Sequence, residues 1–406
     1  MKLSHRAINP ALVLAVVLTA AAAHPPAAPA QAAEAQEKEK EKKQETPPRI
    51  TEEILVVGRA PADLPVSTVT TLSTTQIDQL KPLDLSEVVK YAPGAMVTVG
   101  NKDEFSLKLR GFDNKRIALL VDGVPVIDPY YGSFDLKTVA AGGVESVQVT
   151  EGPSSVLYGP NTMGGVVNVI TRRPGPEPRV SLAASYGDRS TRSLALDSSY
   201  LWKKFGFAAT AGYQDSSGYD YRDPTGVELA RANSDYGRAN LNLKLYYYPT
   251  SRSEIMVNGG YYHSDYGMPP DLYGKPRYWR FPNWDRYMLN AGGLTALGER
   301  SSLRFRAFYV AYDNSLDFYK DPAMTVRLTR STFDNADYGV FGIGDFYLAP
   351  WNSLKLSIYF QRDKVRTQDD VGLPWTEFDQ GTFSGGVEDH VTLTEKWRVA
   401  AHTYAA

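Results

Sequence analysis

From Pro178 onward the chain alternates apolar and polar residues with a period of two. In "ANLNLKLYYY", Leu241, Leu243, Leu245 and Tyr247 fall on one side, and Asn242, Lys244 and Tyr246 on the other. "SLKLSIYFQ" sets Leu354, Leu356, Ile358 and Phe360 against Lys355, Ser357, Tyr359 and Gln361, and "SLRFRAFYV" opens with Leu303 and Phe305 against Arg304 and Arg306. Successive strand side chains point to opposite faces, so each run predicts a strand with one apolar and one polar face. A soluble sandwich alternates too; the connections separate the two readings. Short turns at Lys203-Lys204, "PTSR", "GERS", "PWNS" and "TEKW" alternate with long, polar, aromatic-rich connections over roughly 215–235, 265–284, 314–332 and 367–380. Short, then long, is the pattern of a transmembrane antiparallel β-barrel with tight turns on one side and long loops on the other. Trp202, Tyr246 to Tyr248, Tyr347, Trp351 and Trp397 lie near the short turns, where an interfacial aromatic girdle belongs. Over residues 178–406 about ten strands and the start of an eleventh are expected.

The N-terminus reads as a secretory signal over residues 1–33: a basic start with Lys2 and Arg6, an apolar run Ala11 to Ala23, and Ala30-Gln31-Ala32 as a small-x-small cleavage site. That run is shorter than the ~20 residues a membrane helix needs. No later window is apolar enough either, so a membrane location requires a barrel. Residues 34–51, with "EAQEKEKEKKQETPP", alternate charge without apolar anchors and predict a flexible tether. A net charge of −2 argues against a nucleic-acid partner, and zero cysteines means no disulfide framework. The sequence has no Gly-x-Ser-x-Gly elbow, no zinc-spaced histidines among the scattered His263, His390 and His402, and no calcium-loop run of aspartates. Neither an enzyme nor a metal centre nor a bound cofactor is expected.

Residues 59–175 have a different texture, that of a small α/β domain. "TTQIDQLKPLDLSEVVKYAPG" predicts two short helices, with Asp84 capping the second and Pro93-Gly94 ending it. "RIALLVDGVPVI" predicts a hairpin, because Asp122-Gly123 is a type I′ turn signal between apolar runs. Further strands are expected at "SLKLR", "VESVQVTEG" and "GGVVNVITR". The glycines of "GPNTMGG", Gly159 to Gly165, mimic the opening of a phosphate-binding loop. The Lys and Ser or Thr such a loop requires are replaced by Gly165 and Val166, and a β-branched run follows where a helix should open. Glycine is expected to serve backbone geometry there.

A small domain ahead of a membrane barrel resembles the TonB-dependent outer-membrane receptors. "EEILVVG", Glu52 to Gly58, resembles the TonB box; "LKLRGFDNKRIALLVDGVPV", Leu107 to Val126, resembles the central plug motif; "VESVQVTEGPSSVLYGPNTMGGVVNVITRR", Val144 to Arg173, resembles the closing plug motif. The resemblance implies a mainly β fold: a transmembrane antiparallel barrel of about 22 strands, plugged by the N-terminal α/β domain. It also implies TonB-dependent import of a scarce ligand across the outer membrane of a Gram-negative bacterium. A ferric siderophore leads, with cobalamin, haem or another scarce nutrient as alternatives; a non-transporting adhesin-like or decayed barrel is the reading from another class.

Glu53, Ile54, Leu55, Val56 and Val57 would pair by strand addition with the TonB energy-coupling complex. Arg110 and Arg116 would face the barrel wall and pair with carboxylates there, whereas Glu151 stands where the family more often has a basic residue. Ligand contacts, to a small molecule such as a metal chelate, would come from outward plug loops and external barrel loops. The plug candidates are Asn101, Lys102, Asp128, Tyr130 and Tyr131. The loop candidates are Tyr219, Tyr221, Arg222, Tyr266, Met268, Tyr273, Arg277, Tyr278, Trp279, Arg280 and Trp284. Aromatics with arginine suit a flat, anionic or catecholate-like ligand through stacking and cation–π contact. Outer-membrane lipid would surround the barrel. Because about eleven strands cannot enclose such a plug, the chain is expected to be the N-terminal half of a longer receptor.

Overall fold

The computed structural model describes residues 68–80, 82–100, 102–152, 162–393 and 398–405. The expected leader, tether and Glu52–Gly58 segment lie outside them, as do Asn101 and Gly159 to Asn161. The first unit comprises β1 (Thr68–Leu72), α1 (Thr74–Leu80), α2 (Leu85–Val89), β2 (Ala95–Val99), β3 (Phe105–Leu109), β4 (Ile117–Val121), β5 (Val124–Pro125), β6 (Val144–Glu151) and β7 (Gly165–Thr171). Its sheet runs β1-β6-β7-β4-β5, with β4 and β7 parallel, and β2 pairs with β3 separately. Asp84 caps α2, its carboxylate accepting from the Ser86 amide at 3.0 Å. Asp122 and Gly123 both take positive φ (49° and 80°), which is the type I′ geometry of the β4–β5 hairpin.

Every residue of β4 is buried. Ile117, Leu119 and Val121 join Val167, Val169, Val147 and Leu85 in the unit's own core. Ala118, Leu120 and Val166 face the other way and meet Ile343 and Phe341 of the second unit, and Val124 meets Met288, Phe308 and Val310. An unbroken apolar run is what a strand covered on both faces requires. Full burial of each such side chain contributes about 1.5–3 kcal/mol.

The second unit comprises β8 (Arg179–Tyr186), β9 (Arg192–Trp202), β10 (Phe205–Ser216), the small hairpin β11 (Asp220–Arg222) and β12 (Glu228–Ala230), β13 (Tyr236–Thr250), β14 (Ser253–Met268), β15 (Tyr278–Ala296), β16 (Ser302–Tyr319), β17 (Arg327–Ala349), β18 (Asn352–Gln368), β19 (Thr376–Thr392) and β20 (Arg398–Ala405). Apart from β11 and β12, these form one eleven-stranded sheet in chain order with β8 and β20 at its ends. Each strand is antiparallel to the next, which matches the ten strands and an eleventh expected from alternation.

The outer face exposes Leu243, Val257, Leu289, Phe305, Ile358 and Phe383, an apolar band suited to lipid. Lys244, Asn258, Asn290 and Asn335 are buried on the inner face, beneath the first unit or neighbouring side chains. No helix among the described residues is long and apolar enough to cross a membrane.

Two expectations are corrected. The connections read as long loops shrink to 269–277, 320–326 and 369–375, and 215–235 contains the β11–β12 hairpin. The strands outrun the apolar band, because charged side chains on the outer face pair across the ladder: Arg362 with Asp379 at 2.7 Å and Arg366 with Asp334 at 3.0 Å. Polarity there marks strand outside the lipid rather than loop. Tyr246 and Tyr248 leave the girdle as well. Tyr246 is buried on the inner face and stacks on Tyr248 at 6.2 Å, while Trp202, Tyr247 and Trp351 stay exposed. Trp397 lies outside the described residues.

Gly165 opens β7 at φ 137°, where a Cβ would overlap the Thr150 carbonyl oxygen and meet Leu109 at 2.7 Å. Gly165→Ala is therefore expected to destabilise this unit by about 1–3 kcal/mol, read as a lowered denaturant midpoint. An unchanged midpoint would remove the close-approach role assigned to this glycine.

Candidate functional site

The turn between β4 and β5 carries the main tie between the units. Asp122 is buried there and accepts from the Thr171 amide at 3.0 Å and the Thr171 hydroxyl at 2.9 Å. Its carboxylate pairs with Lys244 of β13, itself only 2% exposed, and its carbonyl accepts from Arg306 of β16. Burial alone would raise the Asp122 carboxyl. The Lys244 charge and hydrogen bond, the Thr171 amide and the Arg306 charge outweigh it and hold the group below the ordinary carboxylate value.

Three further ties join plug and wall. Arg173 meets Glu254 of β14 at 3.0 Å, and Arg238 of β13 reaches the capping Asp84 at 3.3 Å. Arg286 of β15 donates to the Thr138 carbonyl at 2.9 Å and hydroxyl at 3.1 Å. Beside these contacts a cavity of about 90 Å³ opens between plug and wall, lined in part by Arg172, Asp197, Asn242 and Tyr262.

Arg110 and Arg116 take no part in this, contrary to expectation. Arg110 sits at φ 47° in the turn after β3 and pairs with Glu151 of its own unit. Arg116 pairs with Asp113 at 3.4 Å within one 3₁₀ turn. Local backbone geometry turns both side chains to nearby carboxylates, and the acidic Glu151 serves as the partner of Arg110.

In the loops of the first unit that reach β17, Lys102, Asp128, Tyr130 and Tyr131 come together. Lys102 Nζ donates to the Tyr131 hydroxyl at 2.7 Å, and Asp128 Oδ1 accepts from the amides of Tyr130 at 2.8 Å and Tyr131 at 3.3 Å. Both tyrosine rings pack on Phe333 of β17, with centroids at 5.0 and 5.8 Å. Burial pulls the Lys102 ammonium below its ordinary value, opposed by Glu104 and Asp128, and burial raises the Tyr131 phenol. The facing wall is aromatic: Tyr266 stacks on Phe281 at 4.9 Å, Phe281 meets Trp284 at 5.3 Å, and Trp279 meets Phe318 at 4.9 Å. The Tyr266 hydroxyl reaches the Lys102 carbonyl at 3.5 Å.

The other candidates are dispersed. Tyr266, Met268, Tyr278, Trp279, Arg280 and Trp284 stand on β14 and β15 rather than on a loop. Arg280 is engaged by Asp235 at 2.8 Å and Asp265 at 3.1 Å. Tyr221 and Arg222 belong to the β11–β12 hairpin beside Tyr219, and Tyr273 and Arg277 lie in the 269–277 connection, Tyr273 being 87% exposed. Asn101 and Glu53 to Val57 lie outside the described residues.

Two contributors escaped the sequence reading. Phe333 lies in the inward parity of β17, a signal that alternation could have supplied. Lys137, whose ammonium lies 4.7 Å from the Phe105 centroid, 5.2 Å from that of Tyr266 and 2.7 Å from Asp103, has no local sequence signature. Among the described residues no cluster of His, Asp or Glu is placed to hold a metal ion.

Residues 62–166 match the family model described as TonB-dependent Receptor Plug Domain. Over 182 residues, 44% of this chain, the sequence is 28% identical to the vitamin B12 transporter BtuB of Vibrio vulnificus (strain CMCP6), covering 29% of that relative. In fold, 84% of this chain superposes on 55% of the copper transporter OprC with a TM-score of 0.70 at 17% identity. It also superposes, over 83% of its length, on 56% of a ferric enterobactin receptor, PfeA, from Pseudomonas aeruginosa, with a TM-score of 0.65 at 17% identity. The chain thus spans about half the length of the structures it resembles.

Asp122→Asn, which leaves Lys244 buried without its counter-charge, is expected to cost about 3–5 kcal/mol of plug docking, measured as release or unfolding of the plug at lower urea. Adding Lys244→Met should restore part of that loss. A double variant as weak as the sum of its single variants would show that the pair is uncoupled.

Proposed function

We propose, from the premise that this chain carries a TonB-dependent receptor plug in the barrel fold of Gram-negative outer-membrane receptors, that it takes part in active import of a scarce ligand, most simply a ferric siderophore. The observation that carries this reading is the plug itself, a folded sheet buried against the barrel wall and tied to it through Asp122, Glu254, Asp84 and Thr138. A lumen filled this way passes solute only if the plug moves, so work has to reach it from outside. The segment Glu53 to Val57 is rich in β-branched residues by sequence, which suits strand addition by the TonB energy-coupling complex.

The ligand reading rests on the outward end of the plug. Lys102, with its partly desolvated ammonium, lies against Tyr131, the rings of Tyr130 and Tyr131 pack on Phe333, and the Lys102 carbonyl meets Tyr266 of the aromatic wall of β14 to β16. A cation among aromatic faces favours a flat, anionic chelate. Arg280, spent on two aspartates, is a weaker candidate than Lys102. Cobalamin is the second reading, supported by the sequence similarity to a vitamin B12 transporter over 182 residues.

In cells producing the receptor, deletion of residues 52–58 is expected to abolish uptake while the amount in the outer membrane stays unchanged. Uptake that survives the deletion would overturn the energy-coupled reading, and absence of uptake by the undeleted receptor would favour a non-transporting, adhesin-like barrel. Lys102→Ala is expected to weaken binding of a ferric siderophore about tenfold, the order of one charged hydrogen bond. Binding of cobalamin with no response to siderophores would transfer the site to the second reading.

A further inference from the structure

Asp337 of β17 and Asp363 of β18 oppose each other directly in the antiparallel ladder, on the inner face, so that each carboxyl group acts on the other. Two ionised carboxylates in that position have only acceptors between them and repel, so the contact favours a proton held by one of them. A third carboxyl, Asp128 of the plug, acts on the pair from the outward plug loop. Asp128 and Asp337 are 7% and 5% exposed, and one oxygen of each, Asp128 Oδ2 and Asp337 Oδ1, is buried without a hydrogen bond to protein.

The surroundings supply little compensating charge. On the plug side Lys102 is the nearby cation, but its ammonium is directed to the Tyr131 hydroxyl and lies between Glu104 and Asp128. On the wall, Tyr312 of β16 stands beside Asp128 and Asp337, with Arg286 beyond it. Asp363 accepts from Gln361, which is in turn held by Tyr359. Full ionisation would therefore set three negative charges against one partly committed ammonium in a water-poor contact.

We propose that Asp128, Asp337 and Asp363 form a proton-binding junction between plug and barrel wall, closed while a proton is shared among them and loosening the loop 128–133 when it leaves. In line with this, burial pushes the Asp128 carboxyl up to about 6, opposed by the amides of Tyr130 and Tyr131 and by Lys102. A carboxyl raised by packing stabilises the packed state fully below its free value of 3.8, and that contribution is lost as pH rises through about 6. Because Tyr130 and Tyr131 ride on this loop against Phe333, the junction would set the shape of the ligand floor according to external acidity. That last consequence rests on the ligand reading above; the junction itself does not.

Both tests use ligand-free receptor, so their failure is distinct from failure of the transport reading. Infrared titration of the receptor should retain a carboxylic-acid C=O band at about pH 6, above the ordinary range of Asp and Glu, and the Asp337→Asn/Asp363→Asn variant should lose intensity there. Identical spectra would overturn the proposal, and either single Asn variant gives the same comparison if the double one fails to assemble. Amide exchange over residues 127–134 should then be compared between wild type and variant at one pH at a time, which cancels the intrinsic pH dependence. The wild-type to variant rate ratio is expected near one at about pH 5 and severalfold higher at about pH 8. A ratio that does not change with pH would overturn the link between the junction and the loop.

Discussion

A carboxylate sits where the β4–β5 turn touches β13 and β16, with Lys244, Thr171 and Arg306 around it. Its net value for stability is small in principle, since two desolvated charges return in mutual attraction little more than they lost in hydration. Its value for specificity is larger. An Asp122 displaced by one strand position would leave both itself and Lys244 buried and unpaired, so the tie fixes the register of the plug sheet against the wall. The apolar contacts of Ala118, Leu120 and Val124 with Ile343, Phe341 and Met288 supply adhesion but tolerate sliding. Charge sets the position that the apolar surface then fills.

The same interface is poorly suited to being permanent. Asn168 of the plug and Asn258 and Asn290 of the wall are buried with side-chain amides that make no hydrogen bond to protein, and a cavity opens elsewhere in the same interface. A packed core would use leucine at such positions. Polar, loosely filled contacts held by a few ion pairs separate at lower cost than a core, and the separation exposes groups that water readily solvates. The plug's own core, from Leu85 and Val88 to Val167 and Val169, is by contrast fully apolar and buried. Under load the weaker surface yields first, so the plug would shift against the wall before its core came apart.

How much of this was legible follows from the range of each signal. The period-two alternation is local and repeated, so the eleven strands and their apolar faces could be read directly, as could the Asp122-Gly123 turn and the Asp84 cap. Glycine at position 165 was readable as geometry because no phosphate-binding residue accompanied it. Charge pairing was not readable, because it depends on which strands meet. Arg116 found Asp113 within one turn and Arg110 found Glu151 within its own unit, while the ties to the wall came from Asp122, Arg173, Lys244 and Arg306, whose partners lie in the other unit. Polar outer-face positions such as Glu377 and Asp379 were mistaken for loop because composition reports solvent and not hydrogen bonding. Phe333 was missed because the alternation was not followed along β17.

The tie at Asp122 and the carboxyl junction at Asp128 stand on one short stretch of chain, separated by six residues and so by no more than about 20 Å even fully extended. They respond to protons in opposite senses. Asp122, held below the ordinary carboxylate value by its cations, keeps its pairing as pH rises and gives it up only as pH falls through that lowered value. Asp128, raised to about 6, is protonated on the acid side and loosens its contact on the other. Near neutrality the first group is ionised whatever the exact pH, while the second lies within reach of its midpoint. A rise in pH can therefore reshape the 128–133 loop without releasing the tie at Asp122, because the two contacts answer to different carboxyl groups.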